Sequence, residues 1–123
     1  MKKILIIDDI DDVLFSLKKA LESVNKEYQV TIVNNGRQGL ELASKIKPDL
    51  ILLDIMMPDL NGWQVNKKLK ENPLTKKIPV VFLTAKSDDF SKAMGSQSAK
   101  AYIVKPINAD ELDDTIKLVL SSK

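Results

Sequence analysis

Asp8, Asp9, Asp54, Thr84 and Lys105 are the side chains whose types and positions could do chemistry together. Asp8, Asp54, Thr84 and Lys105 each follow directly on a short apolar run, Ile4–Ile7, Leu50–Leu53, Val80–Leu83 or Tyr102–Val104, and Asp9 follows Asp8. Three carboxylates converging without a cation would repel one another and raise at least one pKa. A divalent ion removes that conflict, and Mg²⁺ suits one or two carboxylates, a backbone carbonyl, waters and a phosphate oxygen. Lys105 adds a second positive charge that can pair with Asp54 at rest and with a phosphate oxygen later. Thr84 adds a hydroxyl donor. Such a set describes phosphoryl transfer to a carboxylate: metal and lysine neutralise the phosphoryl oxygens, the hydroxyl donates a hydrogen bond, and Asp54 attacks in line. The nucleophile is already ionised, so a chain with no histidine lacks nothing the reaction needs.

Composition narrows the alternatives. The absence of cysteine and histidine removes disulfides, thiolate sites and the commonest zinc ligand, so any metal must be held by oxygen, as Mg²⁺, Ca²⁺ or Mn²⁺ are. A length of 123 residues suits one domain, residues 1–123. The net charge of +2 is too small to argue for nucleic acid, and the lysines are scattered along the chain. Only four apolar residues separate Lys3 from Asp8, too few for a signal-peptide core, and no run approaches a membrane span. The expectation is a cytoplasmic protein with no nucleic-acid or membrane partner.

The chemistry requires elements that bring those five residues together. The apolar runs, with a fifth at Val30–Val33, are continuous rather than alternating, as strands buried on both faces of a parallel sheet are. Pro48 and Pro79 mark the starts of the third and fourth. Between the runs lies helical spacing. Val13, Leu17, Leu21 and Val24 share a face of the first helix, Leu40, Ala43 and Ile46 of the second after Gly36, and Val65 and Leu69 of the third, which ends at Pro73. A fourth helix is predicted from about Asp88 to Ser98. A fifth, over Asp110–Leu120, has Asn108 as N-cap and Leu112, Ile116, Leu118 and Val119 on its buried side. Five alternations predict an α/β fold with helices on both faces of a parallel sheet, whose ligands bind beyond the carboxyl ends of the strands.

Each residue also has a plainer reading. Asp11 and Asp12 suit a helix's first turn, threonine is a good strand residue, and a lysine is often simply solvated. Trp63 reads as a partly exposed aromatic at a helix start, or as a contact for a phosphodonor. For Asp8, Asp9 and Asp54 together, three strand ends would have to share one accident.

The combined pattern resembles the receiver domains of two-component response regulators. It comprises Ile7-Asp8-Asp9, Asp54-Ile55-Met56-Met57-Pro58 with Gly62, Thr84-Ala85, and Tyr102-Ile103-Val104-Lys105-Pro106, in the family's order over essentially the whole chain. The resemblance implies a flavodoxin-like fold with strand order 2-1-3-4-5. It implies that Asp54 is phosphorylated from a phosphohistidine on a sensor histidine kinase or histidine phosphotransfer protein. Asp9 and Asp54 would bind Mg²⁺ directly, Asp8 through water, and the Met56 backbone carbonyl would complete the site. Thr84 and Tyr102 would form a switch pair that reshapes the face built from the fourth helix, fifth strand and fifth helix. The Lys105–Pro106 bond would be cis. Such a domain is a phosphoacceptor that promotes only its own phosphorylation and dephosphorylation, works as a monomer or phosphorylation-dependent dimer, and signals to a downstream protein or output domain. Met56 and Lys86 stand where family members flank the hydrolytic water, which implies a long-lived phosphoryl state. Ser98-Ala99 replaces the usual Gly-Ala, the interval from Thr84 to Lys105 is about one residue short, and Ile107 stands where Phe is frequent.

Other functions fit less well. An aspartate-nucleophile phosphatase wants a second aspartate two positions after the nucleophile, where Met56 stands, and a cap domain. A nucleotide or flavin module would need a Gly-rich phosphate loop, which is absent. A receiver acting as an unphosphorylated adaptor would not need the full acidic set. No output segment follows the fifth helix, which suits either a stand-alone receiver or one excised from a longer regulator.

Overall fold

The computed structural model describes residues 1–84 and 101–121. Five strands, β1 (Lys2–Ile7), β2 (Tyr28–Val33), β3 (Leu50–Asp54), β4 (Val80–Thr84) and β5 (Ala101–Val104), form one parallel sheet in the order β2-β1-β3-β4-β5. Four helices are described: α1 (Asp11–Val24), α2 (Gly36–Ile46), α3 (Gly62–Glu71) and α4 (Ala109–Ser121), the last being the fifth helix of the sequence reading. The helix predicted at Asp88–Ser98, with Lys86 and Ser98-Ala99, lies outside the described residues. A parallel sheet with helices on both faces is what the apolar runs predict, and its strand order is the flavodoxin-like one that the resemblance implies.

Strand alternation divides the core in two. Ile4, Ile6, Leu50, Leu52, Val81 and Leu83 face α1 and α4, burying Leu14, Leu17, Leu21, Leu112, Ile116 and Val119. Leu5, Ile7, Ile51, Leu53, Val80 and Phe82 face the other way, against Ala43 of α2 and Val65 and Leu69 of α3. Because both faces are covered, no position in β3 or β4 is exposed, which is why those runs are continuously apolar.

Two helix faces differ from expectation. In α1, Leu14 is buried with Leu17 and Leu21, whereas Val24 is 42% exposed. Val24 is the last residue of the helix, where Asn25 turns the chain toward β2. In α4, Leu112, Ile116 and Val119 are buried at three- and four-residue spacing, but Leu118 is 70% exposed, rotated to the far side of that stripe. The stripe carries an acid instead. Asp113 is buried and accepts hydrogen bonds from the Tyr28 hydroxyl at 2.5 Å and from the Asn25 amide at 3.4 Å, and Lys117 pairs with it at 3.1 Å. Burial pushes its pKa up, but these three partners outweigh burial and hold it below the usual carboxylate range. Burial and the Asp113 charge together push the Tyr28 hydroxyl well above its ordinary value. The pair fastens α4 to the start of β2, far along the strands from the acidic edge.

Asn108 Oδ1 accepts from the backbone N–H groups of Asp110 and Glu111, so it caps α4 as its position predicts. Asn35 caps α2 through Gln38 N–H. Asn61 and Gln64 form a reciprocal capping box on α3. No helix among the described residues is long and apolar enough to cross a membrane.

Candidate functional site

Strand register assembles the site. In parallel pairing, Ile7 lies beside Leu53 and Asp54 beside Leu83, so the residues following β1 and ending β3 emerge side by side. Thr84 pairs with Val104, which places Lys105 one step beyond the same edge. The strand order reverses between β1 and β3, so a crevice opens between Asp8 and Asp54, where ligands of such sheets bind.

Asp8, Asp9 and Asp54 each offer a carboxylate oxygen, and those oxygens lie within 4.8 Å of one another. Asp8 is fully buried, Asp54 is 4% exposed, and Asp9 is the most exposed of the three. Asp8 is anchored at both oxygens. Oδ1 accepts from the Ile10 N–H at 3.0 Å, and Oδ2 accepts from Lys105 Nζ at 3.1 Å. The same Nζ donates to Asp54 Oδ1 at 3.3 Å. The expected Lys105–Asp54 pairing is therefore present, and Lys105 bridges to Asp8 as well.

Burial raises the Asp54 pKa to about 6. The Asp8 charge adds to the rise, Lys105 opposes it, and Asp9 adds slightly more. Burial lowers the Lys105 pKa, but Asp54 and Asp8 outweigh it, so the ammonium holds its proton above the ordinary range. A single lysine does not balance the charge of the three clustered carboxylates. An oxygen-liganded divalent cation fits this donor set, because it supplies the missing positive charge in a site that has carboxylates and no nitrogen or sulfur ligand.

The remaining predicted residues are distributed around this cluster. Thr84 is buried at the end of β4. Tyr102 is half-buried in β5 beside Phe82 and packs on the core under α2 and α3. Met56 follows buried Ile55, and its side chain is 74% exposed. The Lys105–Pro106 bond is cis, as the resemblance implies. Asp11 and Asp12 sit in the first turn of α1, where Asp11 accepts a hydrogen bond from the Asn34 amide. Trp63 is half-buried and meets Phe82 edge to face at 4.7 Å, which fits the helix-start aromatic reading.

The loop after β3 folds back tightly. Asp59 takes a left-handed backbone (φ 64°), and the Gly62 N–H reaches the Ile55 carbonyl at 2.9 Å. A Cβ on Gly62 would stand 2.5 Å from the Asp54 carbonyl oxygen and 2.7 Å from the Ile55 Cα. Both are backbone atoms that no rotamer change can move. Gly62→Ala is therefore expected to cost roughly 1–3 kcal/mol, the usual overpacking range, measured by urea denaturation. A variant as stable as the parent would mean that the loop can shift without loss.

Three features here were not read from the sequence: the Lys105–Asp8 bridge, the Gly62 approach, and a cavity beside Asp9 that includes Arg37. The glycine had a signal in its position opening α3. The other two depend on contacts between distant segments.

A family model described as the response regulator receiver domain matches residues 4–117. PilH of Pseudomonas aeruginosa is 38% identical over 122 residues, covering 98% of this chain and 99% of that protein. Three relatives named as transcriptional regulatory proteins and the response regulator ArlR of Staphylococcus saprophyticus are longer, and the chain spans about half of their length, between 48% and 53%. Among solved structures, Vibrio cholerae chemotaxis protein CheY4 superimposes with a TM-score of 0.89 at 28% identity, covering 97% of this chain and 98% of that one. The receiver domain of a sensor histidine kinase from Pseudomonas aeruginosa, solved with a magnesium ion in its active-site cleft, gives 0.88 at 24% identity, with 98% of each chain covered.

Proposed function

The chain belongs to the response regulator receiver family, whose members act as phosphoacceptors in two-component signalling, and from that premise we propose that Asp54 is its phosphoacceptor. The observation that carries this reading is the convergence of Asp8, Asp9 and Asp54 oxygens within 4.8 Å, with one lysine bridging the two buried carboxylates. An Asp54 oxygen attacks phosphorus, and the bond from phosphorus to the donor atom breaks, its electron pair leaving with the donor. With a pKa of about 6, Asp54 is predominantly ionised at neutral pH and needs no base. Lys105 holds the carboxylate at rest and would hold a phosphoryl oxygen afterwards.

Asp8, Asp9, Asp54 and the Met56 carbonyl are the groups that would hold Mg²⁺. When bound, the ion would screen the carboxylates and neutralise charge on the phosphoryl group. The donor would be a sensor histidine kinase or a histidine phosphotransfer protein, the class of partner that receiver domains engage. Catalysis would be confined to the domain's own gain and loss of phosphate.

Thr84 and Tyr102 form the proposed switch. Thr84 follows Phe82 by two positions in β4, and Tyr102 pairs with Phe82 from β5, so both lie on the same sheet face. A threonine hydroxyl drawn toward a phosphoryl group would leave space into which the half-buried tyrosine ring can turn. The face of β5 and α4 would then change for a downstream protein or output domain.

The test is incubation with phosphoramidate and Mg²⁺, followed by intact-mass measurement. One added phosphoryl group, not acquired by samples kept metal-free with a chelator, is the expected result. A protein that stays unmodified with small donors and with histidine kinases would favour an unphosphorylated adaptor.

A further inference from the structure

Among the described residues, Arg37 is the one cation lining a cavity of about 360 Å³ that opens beside the acidic cluster. Asp9 belongs to both: the residue lines this cavity, and one of its carboxylate oxygens lies within 4.8 Å of an Asp54 oxygen. The other walls are mixed. Asn35 and Asp59 contribute polar groups, while Met57 and Leu60 contribute apolar surface. A volume of this size falls within the range of small-molecule sites.

The polar groups differ in what they have left to offer. Asn35 is committed on both sides of its amide, accepting from Gln38 N–H and donating to Asn34 Oδ1. Arg37 sits in the first turn of α2 and is exposed. Among the described residues, its guanidinium makes no hydrogen bond or ion pair, although Asp9 and Asp59 line the same cavity. Arg37 thus brings five uncommitted N–H donors in a planar fork to the lining of a cavity that it shares with Asp9. A solvated arginine is the commoner fate of such a residue, but this one lines a cavity that shares Asp9 with the acidic cluster. The chemistry that a guanidinium fork matches best is a carboxylate, held by two parallel hydrogen bonds.

That chemistry arises when the donor is an acyl phosphate. Attack by an Asp54 oxygen on phosphorus breaks the bond between phosphorus and the bridging oxygen, and the electron pair leaves on that oxygen as a carboxylate. No proton is required at either end. We propose that Arg37 and the cavity beside Asp9 form a leaving-group subsite that selects acyl phosphates among small phosphodonors. This inference rests on Asp54 being the phosphoacceptor. A donor such as phosphoramidate releases ammonia, which takes its proton from solvent and presents no carboxylate, so Arg37 has nothing to bind. A phosphohistidine donor likewise releases a neutral imidazole.

The experiment compares acetyl phosphate with phosphoramidate, following Asp54 phosphorylation by intact mass under Mg²⁺ for the parent, Arg37→Ala and Arg37→Lys. For Arg37→Ala, the second-order rate with acetyl phosphate should fall roughly tenfold, the worth of a charge-assisted hydrogen bond, while the rate with phosphoramidate stays unchanged. Arg37→Lys should lie between, since it keeps the charge without the fork. An unchanged acetyl phosphate rate, or an equal fall with both donors, overturns the subsite, the second because it points to a shared step such as metal binding. If the parent takes phosphate from neither donor, the subsite fails, and if histidine kinases leave it unmodified as well, the phosphoacceptor reading fails with it. Labelling by phosphoramidate alone leaves that reading standing and refutes only the subsite.

Discussion

Replacing Asp54 with Asn is expected to abolish phosphoryl uptake and, in metal-free solution at neutral pH, to make the folded protein more stable. The two effects have one cause. Asp54 is 4% exposed, lies against Asp8, and has its pKa raised to about 6. A carboxylic acid whose folded pKa lies above its unfolded value binds more protons when folded, between those two values. Stability therefore falls as pH rises through that interval, and the ionised group is a burden at pH 7. A rise from 3.8 to about 6 corresponds to roughly 1–3 kcal/mol, which the neutral amide of the Asp54→Asn variant would recover. The gain should vanish as pH drops below the ordinary carboxylate range, where the parent is protonated in both states. Mg²⁺ should narrow it by binding the folded parent. Urea denaturation across pH, with chelator and with Mg²⁺, measures each part. A variant that is less stable than the parent at neutral pH without metal would show that the ionised carboxylate is favourable where it lies.

Lys105→Met should act in the opposite direction. Lys105 Nζ is shared between Asp8 Oδ2 at 3.1 Å and Asp54 Oδ1 at 3.3 Å, and both carboxylates are almost wholly buried. Removing the cation leaves them facing one another without a positive partner. Breaking a buried pair typically costs roughly 3–5 kcal/mol, and somewhat less is expected here because the lysine side chain is 21% exposed. With its main opposing influence gone, the Asp54 pKa rises further. The loss is therefore largest at neutral pH and shrinks as acid protonates the group. Added Mg²⁺ should restore much of the difference. A loss that is the same at all pH values, and blind to Mg²⁺, would mean that the methylene stem packs the site and the charge does not matter. Phosphoryl uptake should fall with either small donor, since the oxygen that Lys105 would hold has lost its partner.

The central strands β3 and β4 were the most legible because burial on both faces leaves no place for a polar residue until the chain reaches the sheet edge. Asp8, Asp54, Thr84 and Lys105 each mark such an edge, and a parallel sheet puts all those edges on one side. The same logic failed at Val24 and Leu118. Helical periodicity tells which residues share a face, but not how far a neighbouring element extends to cover it. Asp113 was missed for a related reason: an acid on an apolar stripe becomes tolerable only beside Tyr28, and that contact joins two distant segments.

What the sequence determined by itself is the inventory and order of this site: three carboxylates, a hydroxyl and a lysine, each delivered by a strand that burial forces into the sheet. Which oxygen meets which cation was decided only by the tertiary structure. Lys105 reaches Asp8, 97 positions away, because the registers of β1 with β3 and of β3, β4 and β5 add up to that placement. Gly62 fits against Asp54 because the preceding loop turns back through Asp59. Local pattern carries no information about those distances, since they depend on the stacked registers of four strands and on the side-chain conformations chosen once the strands are in place.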